Sequence, residues 1–209
     1  MPNSPKKSLQ EMEVKYFVKD LADIEKKLKE LNAPLLSERT YELNYRFDTP
    51  DGKLAQQMQV LRLRQYRSTT LTFKSAADPK SEVSSRQEIE FEVSNFQAAM
   101  LFLQALGFQI SFIYEKYRTI YQLGDCAIML DELPYGNFIE VEGKDVAAIK
   151  KASRCLQLEW NSRIKLSYLA LFYKLKEKYD LKADHLVFKE LDCRQIPVEE
   201  FFTTLTNGS

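Results

Sequence analysis

The sequence predicts an α+β domain whose strands form an antiparallel meander or barrel, with amphipathic helices outside it and a helical extension at the C-terminus. Two patterns carry that prediction. Charged and apolar residues alternate with a period of two along most of the chain, and capped segments with helical spacing interrupt the alternation at definite points. Length agrees, because 209 residues suit one domain, or one domain with an appendage, that buries its own core without disulfide or metal staples.

In chain order, residues 1–10 (MPNSPKKSLQ) read as a loose lead-in, basic at the start but without the apolar core of a secretory signal. In Glu11 to Tyr16, Glu11, Glu13 and Lys15 share one strand face, and Met12, Val14 and Tyr16 the other. Asp20 can cap a helix carrying Leu21, Ile24, Leu28 and Leu31. A strand is expected around Ser37 to Asp48. Gln59 to Gln65 then sets Arg62 and Arg64 against Leu61 and Leu63, and Leu71 to Lys74 continues the alternation. The clearest case is Arg86 to Val93, with Arg86, Glu88, Glu90 and Glu92 on one face and Ile89, Phe91 and Val93 on the other.

Asn95 can cap a second helix ending at Gly107, so that Glu11 to Leu31 and Arg86 to Leu106 look like loose copies of one strand-helix unit. Lys116 with Arg118, and Glu140 with Glu142, share faces of later strands, and another strand is expected at Asp125 to Leu130. Helices are expected from about Asp145 to Leu158 and from about Arg163 to Tyr179. That makes about eight strands linked mostly as hairpins. Beyond Asp180 the tail is mixed, with Phe201 and Phe202 placed to dock back on the body.

Charged strand faces usually point to water. Here their apolar partners are large, and amphipathic helices are available to cover Leu61, Leu63, Phe73, Ile89 and Phe91. Covering the apolar outside turns the charges into the lumen. Desolvated, unpaired ions cost several kcal/mol each, so such a lumen must be wet and must expect a charged guest. Lysines and arginines suit phosphate oxygens, and clustered carboxylates suit hard divalent cations such as magnesium or manganese. The single histidine, His185, lies near the C-terminus, which disfavours a histidine triad or an imidazole acid-base.

The ordered series of motifs resembles the CYTH superfamily, the triphosphate tunnel metalloenzymes, which includes class IV adenylyl cyclases, thiamine triphosphatases and inorganic tripolyphosphatases. Its Glu-x-Glu-x-Lys opening is matched by Glu11, Glu13 and Lys15, and its Leu-Arg-x-Arg strand by Leu61 to Arg64. The lysine strand corresponds to Lys74, Arg-x-Glu-x-Glu to Arg86, Glu88 and Glu90, and Lys-x-Arg to Lys116 and Arg118. The closing pattern is met by Asp131, Gly136, Phe138, Glu140 and Glu142, and a Ser-Tyr segment by Ser167 and Tyr168. The resemblance implies an eight-stranded antiparallel triphosphate tunnel over residues 11–179, followed by a tail at 180–209 that packs on the domain or is partly flexible.

It also implies roles. Glu11, Glu13, Asp131, Glu140 and Glu142 would face magnesium or manganese. Lys15, Arg62, Arg64, Lys74, Arg86, Glu88, Glu90, Lys116 and Arg118 would hold the substrate, with Lys15 and Lys74 assisting catalysis. Hydrolysis of a triphosphate is the preferred expectation; an adenylyl cyclase making cyclic AMP and pyrophosphate is the rival, and a non-catalytic polyphosphate or nucleotide binder the third reading. Asp131 and Gly136 lie closer together than in cyclase-like members.

Other residues read as structural. Glu92 is expected to face solvent, Glu115 and Glu132 to point outward or lie in turns, and Tyr135 and Gly136 to turn into the last strand. Cys126 and Trp160 are expected to pack, and His185 to lie in the tail. Equal numbers of Lys plus Arg and Asp plus Glu, 30 each, give no general attraction to nucleic acid or membrane. Three widely spaced cysteines, Cys126, Cys155 and Cys193, suit a reducing cytoplasm, and the expected assembly is a monomer or homodimer.

Overall fold

The structure, a computed structural model, describes residues 10–191 and 196–207, so Cys193 and residues 1–9 of the lead-in lie outside the described residues. The elements are β1 (Gln10–Val18), α1 (Leu21–Glu30), β2 (Leu35–Asp48), α2 (Lys53–Gln56), β3 (Val60–Gln65), β4 (Thr69–Lys74), β5 (Ser84–Val93) and α3 (Phe96–Ala105). They continue with β6 (Gln109–Leu123), β7 (Cys126–Leu133), β8 (Gly136–Gly143), α4 (Val146–Cys155), a 3-10 turn (Trp160–Ser162), α5 (Tyr168–Tyr179) and α6 (Val198–Asn207). The strands close into an antiparallel barrel in the order β1-β5-β4-β3-β2-β6-β7-β8, with β8 returning to β1. Closure leaves β1 and β2 four strands apart in either direction, on opposite walls.

Alternation sorts the side chains as strand geometry requires. Val14, Tyr16, Ile128, Ile139 and Val141 point outward and are buried beneath Ile24 and Leu28 of α1, Ile149 of α4 and Leu156 at the C-cap of α4. Helix α3 lays Leu103 over Phe47 and Leu63, on the outside of β2 and β3. Phe17, Phe112 and Phe138 share the parity of the lumen residues on their strands, yet they meet Tyr135, Phe172, Phe201 and Phe202 in a third cluster. Phe202 stacks on Phe17 at 4.6 Å and meets Phe138 edge-on at 5.1 Å between centroids. These rings, carried partly by α5 and α6, cap one end of the barrel.

Local chemistry sets the helix ends. The side chains of Asp20, Asn95, Asp145 and Ser167 each accept a hydrogen bond from a first-turn backbone N–H of α1, α3, α4 and α5. The brief helix α2 was not expected from any periodicity; Asp48 organises it by accepting from the backbone N–H groups of Thr49, Leu54 and Ala55. Gly136 has φ of 141°, and a Cβ there would sit 2.9 Å from the Phe17 ring, so the turn into β8 requires glycine.

Two expectations about elements need correction. Helix α5 starts at Tyr168 and not near Arg163, because Ile164 instead exchanges backbone hydrogen bonds with Lys15 (3.0 and 2.7 Å), extending the sheet edge that β5 leaves uncovered. The apolar face of β5 is not covered by a helix. Ile89 and Phe91 are 44 % and 54 % exposed, because α3 lies over β2 and β3.

Of the remaining structural readings, Glu92 accepts from Ser68 at the surface, and Glu132 pairs with Arg39 through two hydrogen bonds of 2.7 and 2.8 Å. Glu115 accepts from the Tyr41 hydroxyl and the Phe188 N–H. Cys126 is buried, and Trp160 packs beneath Arg163 and Lys150. In the tail, Leu186 forms a parallel bridge to Tyr114, and His185 Nδ1 accepts from the Ile113 N–H at 3.3 Å. No helix among the described residues is long and apolar enough to cross a membrane.

Candidate active site

Strand parity brings side chains from all eight strands to one cavity of about 270 Å³ inside the barrel. Glu11, Glu13, Lys15, Arg62, Arg64, Lys74, Arg86, Glu88, Glu90, Lys116, Arg118, Glu140 and Glu142 all line it. Asp131 stands apart from that lining, fully buried behind it. The same cavity takes in Arg46, Tyr114 and, from the start of α5, Ser167 and Tyr168.

The ions form three groups. On the β1 and β8 wall, Lys15 contacts Glu13 and lies 3.3 Å from Glu140, while Lys74 reaches Glu11 at 2.5 Å and Glu88 at 3.3 Å. At the β6–β7 rung, Asp131 accepts from Lys116 Nζ (3.0 Å), Arg118 Nε (2.6 Å), Arg118 Nη2 (2.5 Å) and the Tyr168 hydroxyl (2.8 Å). Four donors leave that carboxylate little capacity for anything else. Arg118 also contacts Glu140, and Lys116 lies 3.5 Å from Glu42. On the β3–β5 wall, Arg64 Nη2 donates to both oxygens of Glu90 at 3.0 and 3.1 Å.

Electrostatics separate these groups further. Burial lowers the Lys15 pKa, but Glu13 and Glu140 outweigh it and raise the group above its ordinary value. Lys74 is raised in the same way, burial being overcome chiefly by Glu11. Burial alone would raise Glu140, yet Lys15, Arg118 and Lys116 hold it well below the usual carboxylate range. Glu42 is held at about 2 because Lys116, Arg118, Arg64 and Arg62 overcome its complete burial. Glu142 behaves oppositely: burial, then repulsion from Glu11 and Glu13, pushes it up to about 7.

Glu42, Asn44, Arg46 and Tyr114 escaped the sequence reading. Glu42, Asn44 and Arg46 alternate with the apolar Leu43, Tyr45 and Phe47 along β2, and the pairing with β6 keeps one register from Thr40 to Arg46. The period-two signal that found the other strand faces therefore extends to these residues, and the register shifts lie at the ends of that stretch.

Among the described residues no group of three or more His, Cys, Asp or Glu is gathered closely enough to ligate an ion as it stands. The donors nevertheless fit a hard divalent cation. Glu11, Glu13 and Glu142 offer only carboxylate oxygens, Glu11 Oε2 is buried without a donor among the described residues, and Glu142, raised by burial and then by repulsion from Glu11 and Glu13, is a carboxylate whose charge a cation would stabilise.

The sequence model of the CYTH domain matches residues 9–168. Among solved structures, a protein from Vibrio parahaemolyticus assigned provisionally as an adenylate cyclase aligns with a TM-score of 0.67 and 22 % identity, over 78 % of this chain and 97 % of that one. A Pyrococcus horikoshii protein aligns at 0.65 and 25 % identity over 78 % and 98 % of the two chains. A cyclase-like protein from Hippeastrum, described as having a dominant triphosphatase activity, aligns at 0.57 and 19 % identity over 78 % and 95 %. No curated protein matches the chain.

Proposed function

Given that the chain belongs to the CYTH domain family, we propose that it is a divalent-metal-dependent phosphohydrolase acting on a triphosphate, whether inorganic tripolyphosphate, thiamine triphosphate or a nucleoside triphosphate. The observation that carries this reading is the opposition of two walls across one lumen: carboxylates on β1 and β8, guanidinium groups on β2 and β3.

Glu11, Glu13 and Glu142 would hold magnesium or manganese, which when bound supplies Lewis acidity toward phosphoryl oxygens. Asp131 and Glu140 serve another purpose in this assignment, fixing Lys116, Arg118 and Lys15 in place. Arg62, Arg64, Arg86, Lys116 and Arg118 grip phosphate oxygens and offset charge on the departing phosphate. Lys15 and Lys74, raised above their ordinary pKa, keep their protons at neutral pH and contribute charge in preference to proton transfer. Phosphoryl transfer is driven mainly by positioning and electrostatic stabilisation, so a site without histidine is sufficient.

The test is to incubate the protein with tripolyphosphate, thiamine triphosphate and ATP, each with magnesium or manganese, and to identify the products by mass spectrometry. Orthophosphate supports hydrolysis. Cyclic AMP with pyrophosphate would establish the cyclase instead, and binding without turnover would leave a polyphosphate-binding protein.

A further inference from the structure

The cross-strand register sets two arginines face to face. Arg46 of β2 stands directly opposite Arg62 of β3, and both line the cavity. Like charges directly opposite in an antiparallel pair are destabilising. The adjacent rung avoids the conflict, with Asn44 opposite Arg64.

Neither guanidinium is fully satisfied. Arg62 Nη2 lies 3.3 Å from Thr72 Oγ1 and 3.5 Å from Glu90, Nη1 lies 3.3 Å from the Tyr114 hydroxyl, and Nε is buried with no acceptor. Arg46 is half-buried and has no carboxylate partner among the described residues. Burial draws its pKa below the ordinary value, Tyr114 and Tyr173 oppose that, and the proximity of Arg62 and Arg86 adds to it. Among the described residues Arg86 donates to Ser84 Oγ, at 3.4 Å. An unmet donor, an uncompensated cation and a repulsive rung thus occur together on one wall of the cavity.

We propose that Arg46 is a further substrate-binding residue, which with Arg62 forms an anion subsite for the terminal phosphate of a polyphosphate chain. The inference rests on the triphosphate reading above and deepens it. Without a metal the β1 and β8 carboxylates repel a polyphosphate, so its terminal phosphate is drawn to the opposite wall, four strands away. There the Arg46–Arg62 rung supplies the charge and the forked donors that terminal phosphate oxygens accept.

The experiment is titration calorimetry of the full chain with orthophosphate, pyrophosphate and tripolyphosphate in EDTA, comparing the wild type with Arg46→Gln and Arg46→Lys. Arg46→Gln should weaken tripolyphosphate binding by about tenfold or more and pyrophosphate binding by less. It should melt no lower than the wild type, since a like charge has gone. Arg46→Lys, which keeps the charge without the fork, should recover part of the affinity and supplies the comparison alone if Arg46→Gln does not fold. Unchanged tripolyphosphate affinity in a folded variant, an equal loss for all three anions, or no tripolyphosphate binding by the wild type overturns the subsite. Phosphate release by the wild type with magnesium is read separately. Hydrolysis with an unaltered Arg46 variant refutes only the subsite, and no hydrolysis with the graded loss of affinity refutes only the hydrolase.

Discussion

Glu142 shows how one residue carries the electrostatics of the site. Its ordinary pKa of 4.5 is pushed up to about 7 by burial and then by Glu11 and Glu13. Between those pH values the folded protein retains a proton that the unfolded chain has released. Stability contributed by this group therefore falls as pH rises from about 4.5 to about 7, by on the order of 3 kcal/mol, and is constant above that window. Thermal melts in EDTA should show Glu142→Gln gaining on the wild type across this interval; parallel curves would contradict the account. Binding magnesium at pH 6.5 should release protons from the wild type, measurable by calorimetry in buffers of different ionisation enthalpy. Glu13→Gln should stay folded, because Lys15 keeps Glu140 as a partner, while metal-dependent phosphate release is lost. Full turnover in that variant would remove Glu13 from the metal site.

At the scale of elements, the Glu-x-Glu pattern recurs with the same sequel three times. Glu11 with Glu13, Glu88 with Glu90 and Glu140 with Glu142 each precede a helix of 10 residues, capped by Asp20, Asn95 and Asp145 respectively. Each helix closes through a residue of positive φ, namely Asn32, Gly107 and Gln157. The first two copies were legible in the sequence, since capping residues and helical spacing are local signals. The true start of α5 was not, because it depends on Ile164 pairing with a strand about 150 residues away in the chain. Nor could local pattern show which face of the barrel α3 would choose. The tail's contribution is testable at this scale. Phe202 is fully buried against Phe17, Phe138 and Tyr135. Phe202→Ala should cost about 3–5 kcal/mol by chemical denaturation; a loss below about 1 kcal/mol would mean that α6 is not integral to the barrel cap.

Over the whole molecule, the barrel turns a one-dimensional alternation into a three-dimensional charge distribution. Period-two spacing identified which residues on β1, β3, β5, β6 and β8 share a face, and closure brings those faces together around one lumen. What spacing could not show was which charges neutralise one another. Asp131 has the same parity as a lumen acid, yet its carboxylate is taken up by Lys116, Arg118 and Tyr168, the last supplied by a helix remote in sequence. Arg46 alternates with Tyr45 and Phe47 as the parity rule requires, but spacing alone does not show that β3 sets Arg62 opposite it. Metal and triphosphate are proposed to meet inside this lumen, between the acidic wall and the arginines. The decisive measurement is the structure of a crystal soaked with manganese and tripolyphosphate. An anomalous peak is expected beside Glu11, Glu13 and Glu142, with phosphate density reaching Arg62; manganese and phosphate bound only outside the barrel would overturn the proposal.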